Sequence, residues 1–281
     1  MQRTILITGG TSGIGLATAR LFARRGWQVV FTARTAAKGQ RALACIGSPR
    51  ARYVVGELGT VAGCHALVQA IRAAVPALDV LLLNAGVYLP RRELTTDGLE
   101  TNFQVNYLAP FILATGLLDL LARRAPARIL SVSTGLHLRG RFDLARTPYG
   151  LDFTARGGYR DAKLANALFT VELAWRAQPL GITANAFSPG LYHTDVLKLT
   201  GWRRRLLHAA GLFLDLVNPL RRSARAPWHL ATAPELTQVT GTYFDQQQPA
   251  TFAPLAADAE LRAQLWAQSE RWAAGEVPSK Y

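Results

Sequence analysis

Tyr159 and Lys163 stand four residues apart, a spacing that places two side chains on one face of a helix. A free phenol, with a pKa of about 10, exchanges protons poorly at neutral pH. A neighbouring ammonium stabilises the phenolate, which suits the phenol to trade a proton with an alcohol or a carbonyl oxygen. Alone, the pair would read as an ordinary surface contact. Its position gives it weight, since it opens an expected helix over 158–178, after an expected strand at 128–132. The chain also holds only four lysines, Lys38, Lys163, Lys198 and Lys280.

A second constellation lies near the start. The run Thr8-Gly9-Gly10-Thr11-Ser12-Gly13-Ile14-Gly15 follows a strand-like Thr4-Ile5-Leu6-Ile7 and precedes a helical pattern over 14–25. Glycines there permit a tight turn and close approach of the backbone to a pyrophosphate, while the helix N-terminus offers free N–H groups and partial positive charge. Glycines also make plain turns, but the strand–turn–helix context favours a dinucleotide. Proteins that bind NAD usually carry an acid about 20 residues further on, at the end of the second strand. Here that end reads Phe31-Thr32-Ala33-Arg34. Arg34 can instead pair with the 2′-phosphate of NADP, with Lys38 adding charge. NADP(H) is therefore the expected cofactor, against the plainer reading of two surface cations.

The elements that must position these residues alternate along the chain. Strands are expected at 4–7, 28–32, 52–55, 78–83, 128–132 and 182–187, and helices at 14–25, 38–45, 61–75, 98–123 and 158–178. Several strands are near-continuous apolar runs, which implies an α/β fold of a single Rossmann domain, a doubly wound parallel sheet with helices on both faces. Ligands bind such sheets beyond the carboxyl ends of the strands. The irregular stretches 134–157 and 194–227 leave the sheet at that edge, making them natural walls of a substrate pocket.

With these motifs in order, the sequence resembles the short-chain dehydrogenase/reductase family over nearly its whole length. The resemblance rests on the glycine turn, Leu83-Asn84-Ala85-Gly86, Tyr159-Arg160-Asp161-Ala162-Lys163 and Ser188-Pro189-Gly190. Asp97-Gly98-Leu99-Glu100-Thr101-Asn102, Val105-Asn106, Lys163-Leu164-Ala165-Asn166 and Gly241-Thr242-Tyr243-Phe244 are similar to its retinol-dehydrogenase-like, NADP-preferring subgroup. The resemblance implies an enzyme that moves a hydride between nicotinamide and a carbonyl or alcohol. Tyr159 would be the proton donor or acceptor, and Lys163 would depress its pKa and bind the nicotinamide ribose. Asn106 would hold a water linking Lys163 to solvent. Gly9, Thr11, Ser12, Gly13, Ile14 and Gly15 would cradle the cofactor. Glu57 and Leu58 would meet the adenine, with Asn84, Ala85 and Gly86 on the adenosine side. Pro189, Gly190, Leu191 and Thr194 would lie at the nicotinamide end. The resemblance also implies a homodimer or homotetramer built on the long helices around Asn106 and Tyr159.

Three positions depart from the family pattern. Thr134 stands where serine usually holds the substrate oxygen, with Ser133 as the alternative. Side chains alternate along a strand, so one of the two hydroxyls faces the site. Leu83 replaces the first asparagine of the common NNAG segment, and Glu57 replaces an aspartate.

The pocket walls are expected to include Leu136, His137, Phe142, Tyr192, His193 and 196–217, pointing to an apolar ketone, aldehyde or alcohol. The expected organisation is one domain over 1–281, with 194–227 as substrate lid and 245–281 as a C-terminal extension. Composition narrows the classes further. The 281 residues are 49% hydrophobic and 18% charged, which excludes intrinsic disorder and a coiled coil. The longest apolar runs are too short for a bilayer, and the N-terminus lacks a signal-peptide pattern, so a soluble, cytoplasmic protein is expected. Two cysteines exclude a disulfide scaffold, and scattered histidines suggest no metal site. The net charge is +14, with Arg supplying 28 of 32 basic residues. These cations are spread along the chain, favouring a solvated surface over nucleic-acid binding. Trp202-Arg203-Arg204-Arg205-Leu206-Leu207 with Arg221-Arg222 makes peripheral membrane contact a minor reading. A non-catalytic NADP-binding sensor on the same fold is the main alternative to the enzyme.

Overall fold

The computed structural model describes residues 2–190 and 220–277. Eight strands form one sheet in the order β3-β2-β1-β4-β5-β6-β7-β8. They are β1 Thr4–Ile7, β2 Gln28–Ala33, β3 Ala51–Val55, β4 Val80–Leu83, β5 Ala127–Val132, β6 Ile182–Ser188, β7 Tyr243–Asp245 and β8 Gln248–Ala250. The first seven are parallel, with register such as Ile5↔Val29 and Ile5↔Val80, and β8 closes the edge antiparallel. Strands β1, β4 and β6 are buried throughout, as two covered faces require.

Helices α1 Gly13–Arg24, α2 Ala36–Ile46 and α3 Val61–Ala74 connect the first strands. The expected single helix over 98–123 is instead a broken run: α4 Thr101–Phe103, a π turn Gln104–Leu108, α5 Ala109–Gly116 and α6 Leu118–Ala122. Apolar spacing cannot reveal a π turn, because every residue of that stretch is buried, Gln104 and Asn106 included. Asn106 lies in the turn's middle. Helix α7 Gly157–Ala177 carries Tyr159 and Lys163, and α8 Arg225–Thr232 packs on the α1 side of the sheet. No helix among the described residues is long and apolar enough to cross a membrane.

Helix α9 Ala259–Ala273 covers the long helices of the same chain. Trp266 packs on Phe111 and Phe169, with centroids 4.9 and 6.1 Å away, and buried Trp272 meets Phe103 edge-on at 5.4 Å. The Ser269 and Tyr107 hydroxyls share a buried hydrogen bond of 2.6 Å. The terminal segment thus braces the π turn from behind, and the aromatic side of α5 and α7 is already covered within one chain. Truncating an aromatic so placed costs about 3–5 kcal/mol.

Candidate active site

The glycine turn leaves β1 with Gly9 at φ +68°, a left-handed conformation that glycine tolerates. Gly15 lies so close under the turn that a Cβ would sit 2.4 Å from the Gly9 carbonyl. Threonines pin this loop. Thr8 Oγ1 accepts from the N–H groups of Asn84 and Ala85, both at 2.9 Å, and Thr32 Oγ1 accepts from Gly9 N at 3.0 Å. Asn84 turns its amide inward, donating to the Thr8 and Gly9 carbonyls at 2.8 and 3.2 Å. Its side chain therefore shapes the turn, a supporting task in addition to the expected place beside the adenosine. Leu83 is buried in the core.

Helix α1 has no side-chain cap at Ser12 and no acid in its first turn, so its N-terminus is suited to an anion. Arg34 is exposed just past β2, without a hydrogen bond or ion pair among the described residues. Lys38 lies one helical turn along α2, also exposed. Glu57 folds back on its own loop, Oε1 accepting from Leu58 N and Gly59 N at 2.9 and 2.7 Å. Open helix N–H groups, a turn with glycine at positions 9, 10, 13 and 15 and cations beyond β2 fit the diphosphate and sugar of a nicotinamide dinucleotide.

At the same sheet edge, Lys163 is 5% exposed and its Nζ donates to the Val132 carbonyl at 2.8 Å. The Nζ lies 5.7 Å from the Tyr159 ring centroid. A Cβ on Gly86 would sit 2.7 Å from Asn106 Oδ1 and 4.0 Å from Lys163 Nζ, so the loop after β4, the π turn and α7 meet around this glycine. Burial pushes Tyr159 up to about 12 and Lys163 down to about 8. Within the protein alone, burial therefore outweighs the expected lowering of the phenol by Lys163, and Tyr159 is held as a protonated donor.

Asn106 has a structural task beside the expected one. Its Oδ1 accepts from Val87 N at 3.0 Å, and its Nδ2 donates to the Val87 and Asn102 carbonyls, both at 2.9 Å. Both amide hydrogens are engaged in pinning the segment after β4, and the Asn106 carbonyl accepts from Asn166 Nδ2 at 3.2 Å. Its side chain is thus a clamp for the loop, in addition to the expected place beside Lys163.

Ser133 is buried, its Oγ without a partner among the described residues. Thr134 is half-buried and its Oγ1 accepts only a long contact, 3.4 Å from Leu136 N. The next turn carries Leu136 and Leu138, 44% and 49% exposed. His137 corrects the expected pocket wall. It is fully buried, its Nδ1 lies 2.6 Å from the Thr134 carbonyl, and its ring packs on Tyr243 and Phe252. A carbonyl only accepts, so Nδ1 carries the proton and Nε2 is left bare in an aromatic cage. Phe142 likewise packs partly against the core. Leu191, Tyr192, His193, Thr194 and the expected lid up to 219 lie outside the described residues, whereas Pro189 and Gly190 directly follow β6.

Sequence reasoning passed over Tyr88. Its ring stands edge-on to Tyr159, centroids 5.5 Å apart, placing a second tyrosine ring beside that of Tyr159. Its place directly after the Asn84-Ala85-Gly86 loop is the signal that would have found it.

Burial lowers the pKa of His137, which yields a prediction. The unfolded chain takes up its proton near pH 6.5, while the folded form resists until lower pH. The folded state therefore loses stability as pH falls through 6.5 toward the lowered value. Melting temperature measured from pH 7 to 5 should drop more steeply for the native chain than for His137→Phe. Parallel curves would show that the ring titrates freely.

A mainly parallel sheet with a glycine-rich turn after β1 and a half-buried tyrosine over a buried lysine at the same edge is the architecture of a nicotinamide-dependent oxidoreductase. Comparison with known proteins sharpens that class. The family profile described as short chain dehydrogenase matches residues 3–203. Human retinol dehydrogenase 13 is 33% identical over 99% of this chain and 86% of its own length. A solved protein from Mycobacterium paratuberculosis superposes with a TM-score of 0.76 at 29% identity, covering 99% of this chain and 95% of its own. A short chain dehydrogenase from Burkholderia cenocepacia, solved in complex with NADP, gives 0.66 at 25% identity over 88% and 97%. The chain belongs to the short-chain dehydrogenase/reductase family, with retinol-dehydrogenase-like relatives, and is an oxidoreductase acting on CH–OH groups.

Proposed function

We infer that the protein interconverts an apolar ketone or aldehyde and the corresponding alcohol with NADP(H). The observation that carries this reading is the meeting of Tyr159 and Lys163 at the carboxyl end of β5, where Lys163 Nζ bonds the Val132 carbonyl two residues before Thr134 and faces the Gly86 loop. When bound, the nicotinamide supplies or accepts the hydride. Tyr159 gives the proton to the oxygen as negative charge develops on it, and buried Lys163 favours the phenolate left behind. Thr134 offers a hydroxyl to hold the oxygen, since Ser133 is enclosed. The loop clamped by Asn106 keeps Gly86 against Lys163.

The preference for NADP(H) rests on Arg34 and Lys38, both exposed, where an NAD-binding chain would carry an acid. The apolar character of the substrate rests on Leu136 and Leu138, which offer apolar surface one turn from Thr134, and it accords with a relative named as a retinol dehydrogenase. A cytoplasmic site of action belongs to the same proposal. Oxidation of NADPH across a panel of apolar carbonyls tests it. Arg34→Ala should raise the KM for NADPH about tenfold, the loss of one charge-assisted contact, and leave that for NADH nearly unchanged. Equal changes for both cofactors would refute the assignment of Arg34. Absence of turnover with every carbonyl would favour the non-catalytic sensor.

A further inference from the structure

The last turn of α1 and the segment 220–232 enclose a cleft of about 670 Å³ that shares no residue with the catalytic or cofactor set. Arg25, Arg221, Arg222, Arg225 and His229 line it beside Trp228, and among the described residues no carboxylate does. The four arginines are exposed at its rim. Exposed Arg25, Arg221 and Arg225 put like charges along one cleft, where they repel one another. An anion carrying several charges relieves that repulsion, and the planar guanidinium matches phosphate oxygens two at a time.

The floor of the cleft is rigid. Trp228 packs edge-on to buried Phe22 at 5.0 Å and to buried Trp27 at 6.4 Å, and the Arg25 guanidinium lies over its ring at 5.2 Å. Buried Arg128 fixes the end of α8 from behind, donating to the carbonyls of Leu230 and Ala233 at 2.8 and 2.7 Å and to Thr237 Oγ1 at 3.0 Å. The cations at the rim are therefore carried on a preformed wall, which lowers the ordering cost of binding. The volume falls within the usual range for small-molecule sites, about 300–1,000 Å³. With its ring engaged by Arg25 and Phe22, Trp228 has little free face for a base, so recognition falls to the charges. A nucleic-acid backbone would call for a basic stripe instead of one compact concavity.

We propose that this cleft binds a compact small molecule bearing several phosphate groups, at a site separate from the cofactor. Calorimetric titration of the full chain with inorganic tripolyphosphate, at low salt and with NADPH saturating so that the α1 N-terminus is filled, tests it. The expected result is saturable binding that weakens about tenfold or more in the double variant Arg221→Ala/Arg225→Ala, while the melting temperature and the dissociation constant for NADPH are unchanged, which shows the variant folded. Undiminished binding in that variant, or no saturable binding in the native chain, overturns the proposal. A parallel sedimentation with phosphatidylglycerol vesicles separates the sources of phosphate. Arginine-dependent retention on vesicles without tripolyphosphate binding would likewise overturn it, assigning the cleft to a membrane surface.

Discussion

Tyr159→Phe is expected to cut kcat for carbonyl reduction by roughly a thousandfold, within the 10²–10⁴ range of a positioned general acid, while the dissociation constant for NADPH stays within about threefold. The substitution removes one oxygen and keeps the ring, so the edge-on packing with Tyr88 survives. Burial pushes the phenol up to about 12, so it is fully protonated at neutral pH and ready to donate. Steady-state turnover together with fluorescence titration of NADPH separates the two effects. Equal loss of turnover and cofactor affinity would mean that the hydroxyl builds the site instead of reacting in it.

Lys163→Met should lower kcat about a hundredfold and change the pH profile. Burial pulls the Lys163 ammonium down to about 8. Below that pH it is cationic and favours the phenolate that Tyr159 becomes, and above it that help is lost. Reduction by the native enzyme should therefore decline as pH rises through about 8. Methionine keeps most of the length of the side chain without the charge, so the variant should be uniformly slow and lack this inflection. An inflection near 8 persisting in the variant would assign it to another group.

The doubly wound sheet was legible because its strands are short apolar runs between helical patterns, and the glycine turn and Tyr–Lys pair because their spacing is local. Other features depend on contacts between distant residues. The π turn at Gln104–Leu108 lies in a wholly buried stretch without an amphipathic signature, and Asn106 is turned to Val87 by bonds that no periodicity records. Strands β7 and β8 are three residues each, and Pro249 sits in the edge strand, where a missing N–H is tolerated. His137 reads as a pocket residue beside Thr134, but the hairpin residues Tyr243 and Phe252 enclose it from more than a hundred positions away. The tail reads from the sequence only as an extension over 245–281, and its partner surface on Phe111 and Phe169 emerges from the fold.

The central claim is a hydride passed to a carbonyl carbon while Tyr159 protonates its oxygen. The most direct measurement supplies NADPH deuterated at the reactive face of nicotinamide C4, with an apolar ketone, and follows the label. Deuterium on the carbinol carbon of the alcohol, accumulating roughly a thousandfold more slowly with Tyr159→Phe, is the predicted result. Alcohol formed without label from either face of C4, or at the same rate without the phenol, would contradict it.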